Sequence, residues 1–542
     1  MSATLVLTNG RFHTMDPAFP LAPAIAIRRD TILAVGDNDS MKALLAPGGE
    51  WVDLDGRAAT PGLVDAHVHF QGYALHLQRV DLTGTTSLAD ALQRIQAHCA
   101  RQQTGQPTNH STRWLQGRGW AQDDWTDRAF PTAVALDSVC PDQPACLHDK
   151  SGHAAWVNSR ALRLAGLDAA TPDPPGGHLQ RDADGRLTGI LFEDAIDLVT
   201  RHIPPPTPEE IAAAMQTAQQ QCWQLGLTGI HDFDGRACFQ ALQHLHQNGQ
   251  LGLRVLKNIP VYRLDHAIGV GLRSGFGDDW LRLGGVKIFA DGALGPRTAA
   301  MLAPYENDPD NRGIVVTDKE EMHAYASRAS AAGLSVTVHA IGDRANHDIL
   351  DVYAAVRQEE AARAVPGALR HRIEHVQLLH PDDRHRLAQL GIIASMQPIH
   401  ATSDMVMADS YWGARARYSY AWRTMLDSGA TLVFGSDAPV ETIAPLPGLH
   451  AAVTRRRPNG APGPAGWYPE QRLSLPEAVH AYTFAAAVTS GQTARQGSLT
   501  PGKLADLTIF DRDIFTISPD QLLEAGIAAT LVGGEFKFRR LG

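Results

Sequence analysis

Two histidines separated by one residue, His67 and His69, end an apolar run in the segment PGLVDAHVHF. Side chains alternate between the two faces of a β-strand, so both imidazoles are expected on one face. Two neutral imidazoles in that arrangement supply half of a metal site. An isolated pair of this kind is more often two core or surface histidines, so the metal interpretation depends on ligands elsewhere in the chain.

Further ligand-type residues lie in later apolar runs: Lys287 in GGVKIFADG, His339 in SVTVHAIGD, His375 in HRIEH and Asp437 in VFGSDAP. Each has a simpler explanation when taken alone. A histidine at a strand end is commonly a hydrogen-bonded core residue, and Asp437 could cap the turn that follows it. Their recurrence at the same end of separate strands is much harder to attribute to chance. The sequence therefore predicts one shared metal site.

The elements that would position these residues are eight apolar, strand-like runs, several of them separated by amphipathic helical segments. The runs are 63–69, 227–233, 253–261, 285–290, 334–339, 372–376, 392–396 and 431–435. Near-continuous apolar strands alternating with helices indicate a parallel sheet covered by helices. Eight such units predict an α/β fold, a (β/α)8 TIM-type barrel, whose catalytic groups come from the carboxyl ends of the strands.

The remaining segments predict two further domains. Short β-rich runs with turn signals at both ends of the chain predict one β-sandwich formed by residues 1–58 and 493–542, since neither end is long enough for a large core alone. The barrel is then assigned to residues 59–70 and 221–492. Residues 71–220 are predicted to form an inserted α+β subdomain, which is either a substrate-contacting lid or a passive stabilising unit.

Composition limits the classes of partner. The chain has 542 residues, a formal net charge of −10 and no basic bias, which disfavours nucleic acid and anionic membrane surfaces as partners. Five cysteines without a CxxC pair, and no evident signal peptide or membrane span, predict a cytoplasmic protein with reduced thiols. A small-molecule substrate is the expected partner, and a homodimer is expected from base rates alone.

The chain resembles the amidohydrolase superfamily of metal-dependent hydrolases. It looks most like the branch with a large insertion after strand one, which includes enzymes similar to N-substituted formamide deformylase. The resemblance extends over nearly the whole chain. It rests on the segments PGLVDAHVHF, GVKIFADGALG, VTVHAIGD, RIEH, GSDAPV, SLTPGKLADLTIFD, WLQGRGW, SGHAAWVNSRAL and DPPGGHLQRDADG.

The resemblance implies a pair of divalent metals, expected to be Zn²⁺. His67, His69 and Asp437 would bind one ion, and His339 and His375 the other. Lys287 falls where two-metal members carry a carboxylated lysine that bridges the ions; an ammonium has no lone pair, whereas a CO₂-derived carbamate offers two oxygens. The alternative is a structural lysine paired with an acid such as Asp291.

The chemistry expected of such a site is hydrolysis of a C–N bond in an amide-like substrate, such as an N-substituted formamide or an N-acyl amine. Zinc makes hydroxide available at neutral pH, and that hydroxide would attack the carbonyl carbon. Asp437 would accept its proton and deliver it to the leaving nitrogen. Two alternatives stay open: a one-metal hydrolase acting on a cyclic amide, lactone or ester, and a metal-binding sensor without turnover.

Substrate contacts are predicted in two places. In the insertion, Trp120, His153 and Trp156 are candidates to cover the substrate and exclude water, although a core role is as reasonable for both tryptophans. Near the barrel strands, Asp291 and His400 are candidates to line the pocket.

Overall fold

The computed structural model describes residues 2–103, 114–363 and 369–541. The chain forms two compact units. The main unit comprises Met1–Tyr73 and Ile211–Gly542, and the insertion unit comprises Ala74–Glu210. Within the described residues, every helix is too short or too polar to span a lipid bilayer.

The main unit contains a sheet of eight parallel strands, as the sequence predicts for a TIM-type barrel. Numbered barrel strands 1 to 8 in chain order, they are Leu63–Val68, Leu227–Asp232, Arg254–Pro260, Leu281–Phe289, Ser335–Ala340, Arg372–His375, Ile393–Met396 and Leu432–Phe434. Each strand pairs with the next in the chain. The sheet closes where the segment after strand 8 meets strand 1, since Asp437 N–H donates to the His67 carbonyl at 2.7 Å.

Helices follow the barrel strands, and several of them pack on the barrel sheet. In chain order they are Phe70–His76, Pro208–Gln224, Arg236–Gln247, Leu264–Gly269, Lys319–Ala331, Asp343–Ala362, Arg386–Leu390, Pro398–Trp412, Trp422–Asp427, Pro445–Thr454, Leu475–Tyr482 and Phe484–Ser490. Some of these helices begin and end at residues that commonly cap helices. Asp318 caps the start of one helix through the Glu321 amide, and Gly391 ends another in the left-handed conformation.

Two further sheets of the main unit enclose a common apolar core drawn from both ends of the chain. The first sheet consists of Ala3–Thr8, Ala24–Arg28, Thr31–Gly36 and Leu45–Asp53, with the helix Asn38–Lys42 beside it. The second consists of Arg11–His13, Leu21–Ala22, Ala58–Pro61, Leu507–Phe510, Ile527–Val532 and Glu535–Arg539. Ala58–Pro61 pairs antiparallel with Leu507–Phe510, so the two ends of the chain share one sheet.

The insertion unit contains a mixed six-stranded sheet. Its strands are Val80–Asp81, Leu115–Trp120, Ala145–Asp149, Ala154–Val157, Gly177–Arg181 and Leu187–Glu193. Its helices are Leu88–Gln103, Ala133–Asp137, Ser159–Leu164 and Asp197–Thr200. The secondary structure of this unit is therefore α+β.

Candidate metal centre

The carboxyl ends of strands 1 and 6 and the segment after strand 8 bring imidazoles and one carboxylate together. Asp437 Oδ1 lies 3.5 Å from Nε2 of His67 and 3.5 Å from Nε2 of His69. The ring of His375 lies 4.9 Å from that of His67 and 4.6 Å from that of His339, measured between centroids. Residues separated by as much as 370 positions in sequence therefore form one cluster, as the barrel topology requires.

Each of these four histidines has one ring nitrogen engaged by the protein. Nδ1 of His67 contacts Glu374 Oε2 at 2.5 Å, Nδ1 of His69 contacts Asp234 at 2.9 Å, and Nδ1 of His375 contacts the Gln397 amide oxygen at 2.8 Å. His339 instead uses Nε2, which donates to the Gly292 carbonyl at 2.9 Å. In the neutral form of each ring the other nitrogen carries a lone pair, which is the arrangement found in metal-ligating histidines.

Three of those contacts are made by side chains that the sequence analysis did not single out: Glu374, Asp234 and Gln397. Glu374 is fully buried and also accepts hydrogen bonds from Thr337 Oγ1 and Arg372 Nε. A signal for this pair was present, because Arg372 and Glu374 are two residues apart in RIEH and must share a strand face. The partner histidine of Glu374 lies in another strand, and the sequence pattern does not reveal it.

The donor atoms suit a divalent ion such as zinc, which binds imidazole nitrogen and carboxylate oxygen. Ligand atoms of His67, His69 and Asp437 lie within 4.8 Å of one another, and so do those of His375, His400 and Asp437. The second group contains His400, where the sequence predicts His339 as the partner of His375. The carboxylates beside His400 raise its pKa, which favours an imidazolium that can donate a proton.

A third group of potential ligands, Asp232, Asp234 and Cys238, already has a counter-charge. Nζ of Lys257, which is buried, lies 2.6 Å from Asp232 Oδ2. The Cys238 thiol donates to the same oxygen. This cluster is thus a buried ion pair with a thiol donor and has no need of a metal ion for charge balance.

Asp437 and His400 form a buried pair at the edge of the centre. His400 Nε2 lies 3.2 Å from Asp437 Oδ2. Burial alone would lower the pKa of His400, but hydrogen bonds with Asp437 and Glu441 raise it to about 10. Burial would likewise raise the pKa of Asp437, yet the adjacent His67 and the hydrogen bond from His400 hold it below its usual range. Both shifts favour an ionised Asp437 beside a protonated His400.

Lys287 is almost completely buried, with an exposed fraction of 3%. Its Nζ lies over the rings of Phe233, at 4.6 Å, and Phe289, at 5.0 Å. No side chain or carbonyl among the described residues accepts a hydrogen bond from this amine. Burial lowers the pKa of Lys287 to about 8, although Glu374 and Asp437 oppose that effect. A substantial fraction of the amine is therefore neutral near pH 8, and the neutral amine is the form that reacts with CO₂.

Asp291, the alternative partner considered for Lys287, is engaged elsewhere. Its carboxylate accepts hydrogen bonds from the backbone N–H groups of Ala300, Ile341 and Gly342 at 2.8–3.0 Å. These contacts join the loop after strand 4 to the loop after strand 5. The Asp291 side chain is fully buried, and its contacts indicate that it positions these two loops. Its role in binding substrate stays a prediction.

The backbone at the centre is strained in two places. His375 and Asp437 have φ values of 76° and 62°, in the left-handed region that residues other than glycine seldom adopt. Gly435 allows the close approach of strands 8 and 1, because a Cβ there would lie 2.4 Å from the His67 amide nitrogen. Strain concentrated at ligand-type residues is typical of functional sites.

A cavity of about 360 Å³ opens over this cluster. Its lining includes all of the predicted barrel residues except Asp291: His67, His69, Lys287, His339, His375, His400 and Asp437. Six apolar side chains also line it: Phe289, Ala293, Leu294, Ile341, Met407 and Val440. The volume is that of a small-molecule site.

The three candidates in the insertion unit have other surroundings. Trp120 and Trp156 lie in the apolar core of that unit, and their indole N–H groups donate to the carbonyls of Leu147 and Thr132 at 2.8 Å. His153 is exposed and pairs with Glu193 at 3.0 Å. Both tryptophans therefore have the core role that the sequence analysis gave as the alternative. Contact with substrate stays a prediction for Trp120, His153 and Trp156.

Comparison with known proteins agrees with this geometry. The amidohydrolase family profile matches residues 50–538, which is most of the chain. The chain belongs to the amidohydrolase family. Protein LONG AFTER FAR-RED 3 of Arabidopsis thaliana is 33% identical to this amidohydrolase over 98% of the chain and 91% of its own length. N-substituted formamide deformylase of Arthrobacter pascens is 28% identical over 99% of each chain.

A solved structure extends the likeness to three dimensions. An uncharacterized metal-dependent hydrolase from Pyrococcus horikoshii OT3 superposes with a TM-score of 0.76 at 29% identity, covering 95% of this chain and 99% of its own. Together with the family match, this makes the protein a metal-dependent hydrolase of the amidohydrolase family.

Proposed function

We propose that this amidohydrolase cleaves the C–N bond of an amide-like substrate of the N-substituted formamide or N-acyl amine type. The observation that carries the proposal is the position of Asp437. Its carboxylate lies 3.5 Å from the imidazoles of His67 and His69 and 3.2 Å from that of His400, at the wall of a cavity. One carboxylate therefore adjoins both a metal-ligand cluster and a proton donor.

The residues proposed to hold metal are those whose lone pairs the protein leaves available. His67, His69 and Asp437 would hold one divalent ion, and His339 and His375 a second. When bound, such ions lower the pKa of water to about 7 and polarise a carbonyl oxygen. Lys287, as a carbamate, would join the two sites, and the absence of a hydrogen-bond acceptor for its Nζ among the described residues supports that role.

Asp437 is proposed to move the protons. It would accept a proton from the attacking water and transfer it to the departing nitrogen. An amide nitrogen is a poor leaving group, so protonation at this atom is needed for the bond to break. The His400 imidazolium orients the carboxylate and keeps it ionised through the contact at Oδ2.

The substrate class is supported by two observations of different kinds. The relative from Arthrobacter pascens is named for deformylation of N-substituted formamides, and at 28% identity it supports amide hydrolysis in general. The apolar part of the cavity wall, which includes Phe289, Leu294 and Val440, favours an uncharged substituent.

A hydrolysis screen with zinc-loaded protein tests the proposal. The panel contains N-formyl amines, N-acyl amino acids, cyclic amides, lactones and simple esters. We expect turnover of the open-chain amides with apolar substituents. Preferred turnover of cyclic amides, lactones or esters would instead favour the alternative hydrolase, and an inert protein on every compound would favour a metal-binding sensor.

A further inference from the structure

A second cavity of the main unit lies toward the opposite end of the barrel. Its volume is about 390 Å³, and its lining includes Ser335 and Arg372, the first residues of strands 5 and 6. The metal-ligand cluster is at the carboxyl ends of these strands. The two cavities share no lining residue, so this space is separate from the catalytic one.

The second cavity is lined by four arginines, Arg273, Arg282, Arg370 and Arg372. No aspartate or glutamate is among its described lining residues. The whole chain has a formal net charge of −10. The positive charge of this cavity lining is therefore opposite in sign to the net charge of the protein. Concentrated positive charge in a concave, low-dielectric setting focuses potential and attracts anions.

The local partners leave part of this charge uncompensated. Arg372 is neutralised by Glu374, which it contacts in the barrel interior. Arg282 is held by a neutral group: the Gln492 amide oxygen, when it faces the guanidinium, lies 2.5, 2.7 and 3.1 Å from the three guanidinium nitrogens. Its other contact, at 3.5 Å, is the Asp278 backbone carbonyl. No carboxylate of the described residues forms an ion pair with Arg282, although Asp278 and Asp279 line a neighbouring cavity with it.

Arg273 is a further arginine of the cavity lining. Its side chain is exposed, runs along Gly333 and has no ion pair with any residue of the described ranges. Arg273 and Arg282 thus both line this cavity, which has no carboxylate among its described lining residues. Planar guanidinium forks match the geometry of phosphate oxygens, to which they donate paired hydrogen bonds.

We infer that this cavity binds a small phosphate-bearing molecule. Arg273 and Arg282 recognise the phosphate group, and the volume leaves room for a small organic moiety as well as the phosphate. The site is a ligand site distinct from the proposed catalytic centre, and its existence does not depend on which substrate that centre hydrolyses.

Isothermal titration calorimetry on the zinc-loaded, full-length protein tests this inference. The probes are inorganic phosphate, pyrophosphate and, as a carboxylate comparison, succinate, all at one ionic strength because arginine–phosphate contacts are salt-sensitive. We expect the phosphate probes to bind and succinate to bind at least tenfold more weakly. The variants R273E and R282Q should each weaken phosphate binding at least tenfold, whereas the matched control R384Q, an exposed arginine outside the cavity, should not.

Three results would overturn the inference. Absence of binding by both phosphate probes would remove the ligand class. Phosphate binding that is unchanged in R273E and in R282Q would place the anion elsewhere, with the metal centre as the obvious site. Succinate binding as tight as that of pyrophosphate would remove the preference for phosphate. Because Arg273 is exposed and has no ion pair within the described part of the chain, R273E tests the site even if R282Q fails to fold.

Discussion

Glu374 Oε2 lies 2.5 Å from His67 Nδ1, and both side chains are buried. Burial would raise the pKa of Glu374, but Arg372 and His67 hold it well below its usual range. Burial lowers the pKa of His67 to about 4. An ionised carboxylate beside a neutral imidazole fixes the proton on Nδ1, so the Nε2 lone pair of His67 is directed toward Asp437 and the proposed metal.

Replacing Glu374 with glutamine should therefore weaken metal binding. The neutral amide no longer increases the basicity of His67, and buried Arg372 loses its counter-charge. We expect zinc affinity to fall about 10–100-fold, as measured by competition with a chromophoric chelator. E320Q, at an exposed glutamate, is the control. Unchanged zinc affinity in folded E374Q would show that the contact does not prepare His67 for a metal.

Replacing Lys287 with methionine should remove the carbamate and, with it, one of two metals per chain. Carbon-13 NMR after incubation with labelled bicarbonate should show a carbamate signal in the wild type and none in K287M. K150M, at an exposed lysine, should resemble the wild type. A wild type with one metal per chain, no such signal and no dependence of activity on CO₂ would support the one-metal alternative.

The contact between His400 and Asp437 predicts a pH effect. The positive charge of His400 favours the ionised form of Asp437, so its removal in H400N raises the pKa of that carboxyl. Because Asp437 must be ionised to accept a proton, the acid limb of the kcat/KM profile should move to higher pH. H385N, at an exposed histidine, is the control. An acid limb that stays in place or moves to lower pH would contradict the proposed role of His400.

Gly435 is predicted to be needed where strand 8 passes strand 1. An alanine Cβ would lie 2.4 Å from the His67 amide nitrogen and 2.8 Å from Asp65 Oδ1. We expect G435A to lose about 1–3 kcal/mol of unfolding free energy and to bind zinc more weakly. G269A, where a Cβ would meet no atom within 4 Å, is the matched control. Equal stability and zinc affinity for both variants would show that the junction relaxes without cost.

The sequence predicted the barrel and its ligand-type residues because both depend on local pattern. Apolar runs and their lengths locate strands, and chemistry at the carboxyl end of one parallel strand adjoins that of the next. His67, His339 and Asp437 are therefore expected in one cluster from the sequence pattern alone. The same reasoning predicted the shared use of both chain ends, from short β-rich runs alone.

The side-chain contacts between residues of different strands could not be predicted from the sequence in this way. Glu374 and His67 are 307 positions apart, and nothing in either segment shows which carboxylate meets which imidazole. The aromatic residues of the insertion were ambiguous for a related reason. Trp120 and Trp156 stand in sequence contexts compatible with a core or a binding surface, and only packing distinguishes a buried indole from an exposed one.

The central claim is that Asp437 moves protons in metal-dependent amide hydrolysis. The most direct measurement compares amine release from an N-substituted formamide by zinc-loaded wild type and D437N, with each rate expressed per bound metal. We predict hydrolysis by the wild type and a loss of about 10²–10⁴-fold in D437N. Wild-type rates per metal in D437N would contradict the account.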